Sequence, residues 1–305
     1  MTERIVRISG RLKALFDAEG NACLACGAPL AASAGLTGPA TARFLCRRCR
    51  EDVPWIRPGD IRCAVCGRAE LCPDCPGRTN PAFVMNRSAV RYTDRMKEWL
   101  ARLKYRGDEK LAGLFAHMMA GALERMLDER GLRRRDIACL TCVPASEERL
   151  RERGFNQTEL IARRLAGHAR IPFVPLLART RHTGKMSQKT RAERLRLLEG
   201  AFAVPESPAL ERILRKAAVP AAVRFLPASG RTGRRLRDPD PASASPELAA
   251  PATAASALAP PAARPPLRIV LIDDVYTTGS TMQECARAIR RRFPEAEVYG
   301  LTWAR

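Results

Sequence analysis

The sequence predicts an α/β protein built on a parallel sheet and preceded by a small metal-held module. Three observations carry this expectation. Ile269-Val270-Leu271-Ile272 is an aliphatic run without polar alternation, which suits a strand buried on both faces of a parallel sheet. That run meets two adjacent carboxylates, Asp273 and Asp274, and turns through Val275-Tyr276-Thr277-Thr278-Gly279-Ser280-Thr281 into a helical stretch, Met282 to Arg292. Near the other end, eight of the 11 cysteines fall in four CxxC pairs: Cys23/Cys26, Cys46/Cys49, Cys63/Cys66 and Cys72/Cys75.

Taken in order, Ile5, Ile8, Leu12, Leu15 and Phe16 share one helical face, so residues 1–20 read as a short amphipathic helix ending at Gly20. Residues 21–77 hold the CxxC pairs among Gly, Pro and Arg, with little apolar mass. Two thiolates from one tight turn grip an ion, and two such turns close a tetrahedral structural zinc site, which a segment this poor in core residues needs in order to fold. Two Zn²⁺ are therefore expected. The spacing leaves sequential sharing (Cys23, Cys26, Cys46, Cys49; Cys63, Cys66, Cys72, Cys75) and interleaved cross-bracing both open. Cys139 and Cys142 flank a strand-like stretch, and with Cys285 they read as buried core thiols.

Arg78-Thr79-Asn80-Pro81 reads as a linker turn. Beyond it, Ser88 to Tyr92 is expected as an edge strand, Met96 to Tyr105 and Leu111 to Leu127 as helices, Ile137 to Val143 as a strand ending at Pro144, Glu159 to Gly167 as a helix and Phe173 to Leu177 as a strand. Between them, Glu147 to Arg153 carries alternating charges, as a solvated helix face would. Arg179 to Arg194 is basic and nearly devoid of apolar anchors; facing a phosphate site, such a loop serves as a lid. From Asp238 to Pro266 the chain is Pro/Ala-rich, with 19 Pro or Ala among the 28 positions from Pro239, too many to build a core. A flexible insertion is expected at about 205–266, within a domain that spans 88–305.

Bulk properties narrow the function classes. The chain has 305 residues, 46% of them hydrophobic, enough for an α/β core plus a smaller module. No stretch has the length and apolarity of a membrane span, and Glu3, Arg4 and Arg7 do not suit a signal peptide, so a cytoplasmic protein without membrane insertion is expected. The net charge of +21 invites a polyanion. Of the 53 basic residues only seven are lysine, the bias a GC-rich coding sequence produces by itself, so charge alone leaves nucleic acid and a phosphorylated substrate equally open.

At the carboxyl end of a parallel strand, paired carboxylates can hold vicinal hydroxyls or a magnesium shell, and a Gly-Ser-Thr helix start favours an anion. The Asp273 to Thr281 string closely resembles the 5-phosphoribosyl-1-pyrophosphate (PRPP) loop of type I phosphoribosyltransferases. By that resemblance Asp273 and Asp274 contact the ribose hydroxyls, and Thr277 to Thr281 the 5′-phosphate.

Several segments then point one way: the paired CxxC modules, Leu103-Lys104-Tyr105-Arg106-Gly107-Asp108, Val143-Pro144, Arg149, Glu152-Arg153-Gly154-Phe155-Asn156-Gln157, Gln188 to Arg191 with Arg194, and the PRPP-like string. Together they resemble the ComF family of competence proteins over most of the chain, the insertion excepted. The resemblance implies a double zinc ribbon joined to a type I phosphoribosyltransferase-like domain, binding of PRPP with Mg²⁺, and a place in DNA uptake. Phosphoribosyl transfer would use Asp273 and Asp274 as catalytic residues and Val275 to Thr281 as the PRPP loop. Lys185, Arg191 and Arg194, with Arg149 and Arg153 on the opposite wall, are candidates for pyrophosphate. The competing classes are a single-stranded-DNA-binding protein and an adaptor for other uptake proteins, each with a vestigial PRPP site.

Overall fold

The computed structural model describes residues 22–30, 40–76, 80–181, 191–217 and 266–305. The expected N-terminal helix, the centre of the basic loop with Lys185, and the Pro/Ala-rich stretch as far as Pro265 lie outside the described residues. Four strands make the main sheet: β1 (Met85–Val90), β2 (Cys139–Cys142), β5 (Arg268–Val275) and β6 (Glu297–Ala304). Their order is β1-β6-β5-β2 and every pairing is parallel. The remaining strands, β3 (Ala178–Arg179) and β4 (Phe202–Ala203), pair antiparallel as a separate ribbon.

Helices cover both faces. They are α1 (Arg47–Glu51), α2 (Asp94–Tyr105), α3 (Lys110–Glu129), α4 (Glu147–Arg153), α5 (Gln157–Ala169), α6 (Arg191–Leu198), α7 (Pro208–Ala217) and α8 (Ser280–Arg292). Because side chains alternate along a strand, β5 supplies both cores. Val270 and Ile272 meet α2, α3 and α5, whereas Ile269 and Leu271 meet α8. This double burial is why the run lacks polar alternation. On the first face, Trp303 of β6 stacks on Phe115 of α3 with ring centroids 3.8 Å apart, and its indole N–H donates to the Met118 sulfur at 3.4 Å. On the second, α8 lays Met282, Cys285, Ala286 and Ile289 against the sheet.

Three expectations change. The edge strand begins at Met85 rather than Ser88. Phe173 to Leu177 does not form a strand: Phe173 makes one parallel bridge to Leu140, with Leu140 donating to the Pro172 carbonyl and Val174 donating to that of Leu140. Pro172 and Pro175 each lack a ladder donor, and the Leu176 amide goes instead to the Thr141 hydroxyl at 3.1 Å. Finally, the stretch expected to be flexible from about 205 starts with helix α7, anchored through the buried Leu214.

Candidate functional site

The cysteine module resolves into two separate clusters. Sγ atoms of Cys23, Cys26, Cys46 and Cys49 lie within 4.8 Å of one another, and so do those of Cys63, Cys66, Cys72 and Cys75. The grouping is sequential, not cross-braced. Both begin with the same turn: Gly27 and Gly67, at φ 73° and 71°, send their amides back to the carbonyls of Cys23 and Cys63 at 2.8 and 2.9 Å. Left-handed backbone there suits glycine. All eight cysteines are free. Cys26 and Cys46 sulfurs are 3.8 Å apart and those of Cys66 and Cys72 3.5 Å. Thiolates about 2.3 Å from a central ion in a tetrahedron stand roughly 3.8 Å apart, so the two donor sets fit two zinc ions. Burial opposes ionisation of Cys23, but the amides of Cys46, Cys26 and Ala25 outweigh it and hold the thiol near 7. By contrast Cys139 and Cys142 are buried and their thiols are pushed up to about 12, as inert core groups.

The clusters dock on different parts of the fold. The first packs into the core of α3 and α5: Leu24 donates to the Phe44 carbonyl at 2.8 Å, Phe44 lies 5.2 Å from His117, and His117 lies 4.0 Å from His168. The second sits on the sheet edge. The Asn86 amide of β1 donates to Val65 at 2.7 Å, the Asn86 side chain to the Cys66 carbonyl at 3.3 Å, and Arg87 to the Ala64 carbonyl at 2.9 Å.

The acid pair lies inside β5, where Asp273 aligns with Thr302 and Val275 with Ala304. The carboxylates thus belong to the last turn of the pleat rather than to the loop after it. Asp274 is buried, with Oδ2 accepting from Lys104 Nζ at 2.6 Å and Gln157 Nε2 at 2.8 Å. Burial opposes its charge, but Lys104 and Gln157 overcome it and hold the carboxyl below the usual carboxylate range. Asp273 has the opposite environment. Burial and the neighbouring Asp274 charge push it up to about 7, against the weaker pull of the Asp274 amide, Lys104 and Arg149. Two adjacent carboxylates thus sit in different protonation regimes, a hallmark of functional sites.

After the acids the chain turns sharply. Gly279, at φ 76°, caps α8, and a side chain there would run into the Tyr276 phenol. The Thr278 and Ser280 hydroxyls are 2.9 Å apart at the mouth of α8. Arg305 closes the turn from behind: it donates to the carbonyls of Tyr276 (3.3 Å) and Thr277 (3.1 Å), and its guanidinium lies 4.4 Å over the Tyr276 ring.

Of the other candidates, Arg149 acts on Asp273 through its charge, while Arg153 donates to Gln157 at 3.0 Å and Tyr105 at 3.1 Å, one residue link from Asp274. Arg191 and Arg194 lie in α6; Lys185 is outside the described residues. Sequence reasoning did not single out Lys104, Gln157 or Arg305. Lys104 and Gln157 do stand in Leu103-Lys104-Tyr105-Arg106-Gly107-Asp108 and Arg153-Gly154-Phe155-Asn156-Gln157, so their pattern was visible but their role was not; nothing local marks Arg305. Aromatics make up only 5% of the residues, which argues mildly against a stacking platform, though Trp55, Phe83, Tyr92, Trp99 and Tyr105 cluster near the ribbon and linker. Phe83 and Trp99 are core residues, whereas Tyr92 and Tyr105 are exposed.

Fold and clusters together define an α/β protein with a four-stranded parallel sheet and two Cys₄ sites consistent with a zinc-ribbon module. It is similar to competence protein ComFC of Bacillus subtilis (strain 168), at 27% identity over 270 residues, covering 86% of this chain and 84% of the relative. It is also similar to competence protein ComFC of Streptococcus pneumoniae (strain ATCC BAA-255 / R6), at 30% identity over 155 residues, covering 50% of this chain and 63% of the relative. No family model matches the chain. Both similarities are in line with the resemblance in its motifs. No described helix is long and apolar enough to cross a membrane.

Proposed function

We propose that the chain is a cytoplasmic protein of competence and DNA uptake that binds PRPP with Mg²⁺ along Asp273 to Thr281 and transfers its phosphoribosyl group. The names of its relatives support the first half. The observation that carries the second is the acid pair at the carboxyl end of a central parallel strand, followed at once by a left-handed glycine turn into a helix N-terminus. In this reading the domain spans 88–305, follows a ribbon at 21–77, and is interrupted by the insertion.

Asp273 and Asp274 accept hydrogen bonds from the ribose hydroxyls, and the amides and hydroxyls of Thr277 to Thr281 wrap the 5′-phosphate. Displacement at C1 builds positive charge on the ribose and negative charge on the departing pyrophosphate. Mg²⁺ bound with PRPP would supply charge to neutralise part of the latter. Lys104 already compensates Asp274 at 2.6 Å, so it keeps that carboxylate ionised and is a further cation beside the pyrophosphate position. Arg149 and Arg153 are the candidates for pyrophosphate on this wall, with Lys185, Arg191 and Arg194 the further candidates. Catalysis on this plan is positioning and electrostatics.

A second reading, single-stranded-DNA binding without turnover or service as an adaptor for other uptake proteins, is favoured by one observation. Tyr92 and Tyr105 are exposed close to Asp274, with Arg153 at 4.9 Å over the Tyr105 ring, a stacking and phosphate-binding chemistry. Calorimetry of the zinc-loaded chain with PRPP and Mg²⁺ separates the two. Loss of binding in Asp274→Ala is expected, and binding that survives this change sinks the ribose role. Steeply salt-dependent single-strand binding with no response to PRPP moves the function to the second reading.

A further inference from the structure

The second Cys₄ cluster and the phosphate-loop backbone share one side chain. The Arg305 side chain is 3% exposed, and its two terminal nitrogens face different partners. Nη1 donates to the carbonyls of Tyr276 and Thr277. Nη2 lies 3.9 Å from the carboxylate of Asp74, which sits between Cys72 and Cys75 and also pairs with Arg68 at 3.5 Å. Nε and Nη2 make no hydrogen bond among the described residues. The fork is thus committed to two loop carbonyls on one side and to an acidic cluster residue on the other.

The main chain makes that position rigid. Arg305 donates its amide to Val90 at 3.0 Å and accepts from Tyr92 at 2.7 Å, so it continues β6 beside the exit of β1. The cluster is stitched to the same edge through Asn86 and Arg87. Gly67 shows how close that approach is: a Cβ there would stand 2.7 Å from the Asn86 carbonyl oxygen. Tyr276 completes the link, its ring under the guanidinium and its phenol filling the space that Gly279 leaves.

Charge gives the link a direction. Four thiolates with one Zn²⁺ would carry a net charge of about −2 and fix the turn that holds Asp74, whereas a cluster without metal would lose that shape. Loading the cluster therefore holds Asp74 in place and strengthens the field on Arg305. Emptying it removes both. The first cluster lies on the other core, beside Phe44, His117 and His168, and its segment meets β1 through the main chain, with Ile56 donating to Ala89 at 3.0 Å.

We propose that Arg305 is a positioning residue that ties the loop Tyr276 to Thr281 to the second Cys₄ cluster, so that anion affinity at the loop depends on metal occupancy of that cluster. The affinity half of this statement rests on the PRPP reading above; the ordering half does not.

Hydrogen–deuterium exchange of residues 276–281 in the full chain tests it, with zinc content measured alongside. Charged hydrogen bonds of this kind contribute enough that Arg305→Gln should speed loop exchange about tenfold while both zinc ions stay bound. Arg305→Lys, which keeps the charge but not the fork, should recover part of the protection. Cys72→Ser/Cys75→Ser should release one zinc and speed exchange similarly, and Cys23→Ser/Cys26→Ser should release one without doing so. Combining Arg305→Gln with Cys72→Ser/Cys75→Ser should add little to either, the non-additivity that distinguishes a shared link from two separate losses of stability. A folded Arg305→Gln protein with unchanged loop exchange overturns the proposal, whatever the cysteine variants do. Calorimetry with PRPP and Mg²⁺ separates the two readings. Wild-type protein that fails to bind PRPP defeats the transferase reading while the exchange result stands. Unchanged PRPP affinity in Arg305→Gln, against measurable wild-type binding, defeats the affinity half.

Discussion

The two cysteine clusters use the same CxxCG turn and the same four-thiol chemistry, yet they serve different cores. The first is set among Leu45, Val53 and the helices α3 and α5, and its neighbours are rings and aliphatic side chains. The second packs beside Phe83, Tyr276 and Met282 and reaches the loop Tyr276 to Thr281 through Arg305. On the proposal above, identical local chemistry has a structural meaning at one place and a functional one at the other. Both meet the edge strand β1, and what separates them is which face of the sheet each one packs on.

The largest expected effect tests that contrast directly. Structural zinc contributes folding free energy outright, so Cys49→Ser should cost about 2–5 kcal/mol of stability, as a lost structural crosslink does, yet leave PRPP affinity unchanged in the fraction that folds. Calorimetric melting followed by ligand titration measures both. A loss of ligand affinity from the first cluster equal to that from the second would erase the distinction.

Next in size is Lys104→Met. Removing one partner of a mostly buried pair leaves an uncompensated carboxylate, a change expected to cost about 3 kcal/mol in denaturant unfolding and to move Asp274 up toward protonation. Asp274→Asn in the same background should recover part of the stability but not ligand binding.

Gly279→Ala should cost about 1–2 kcal/mol, because an L side chain both adopts a left-handed backbone and displaces the Tyr276 ring. Gly27→Ala, with the same φ sign but open space around it, should cost less. Melting temperatures of the two variants compare strain with and without a steric clash.

The smallest effect is the pH dependence set by Asp273. Its carboxyl titrates near 7 in the fold against 3.8 in an ordinary setting, so the folded chain holds a proton that the unfolded chain has lost. The stability this gives is complete at the acidic end of that window and is lost as pH rises toward 7. Asp273→Asn should therefore raise the melting temperature at pH 8 by roughly 2–4 °C for each kcal/mol relieved in a chain of this size. Affinity for PRPP with Mg²⁺ should run the other way, rising up to about tenfold per pH unit until Asp273 is ionised. Titrations at three pH values check the sign.

Much of the candidate site was legible because its parts are local. Aliphatic residues, two acids and a Thr-Thr-Gly-Ser-Thr turn follow one another in the chain, and the structure sets them as a buried strand, a strand end and a helix start. The CxxC turns are equally local. Lys104, Gln157 and Arg305 were not legible in role, because each acts across a long separation in sequence. Lys104 is 170 positions from Asp274, and nothing in Leu-Lys-Tyr indicates that α2 ends beside β5. The placement of the aromatic residues was not legible for the same reason, since composition cannot say that Trp99 is buried and Tyr105 exposed.

By itself, then, the sequence determined the chemistry available at each short segment: thiol pairs for zinc, an acid pair with a phosphate-type turn, and a strand apolar enough to be buried twice. Only the tertiary structure decided which cysteines share an ion, which cation neutralises Asp274, and which cluster touches the loop. Short-range patterns follow from covalent spacing and backbone geometry, whereas these pairings depend on strand order in a parallel sheet, which brings distant segments together at one edge.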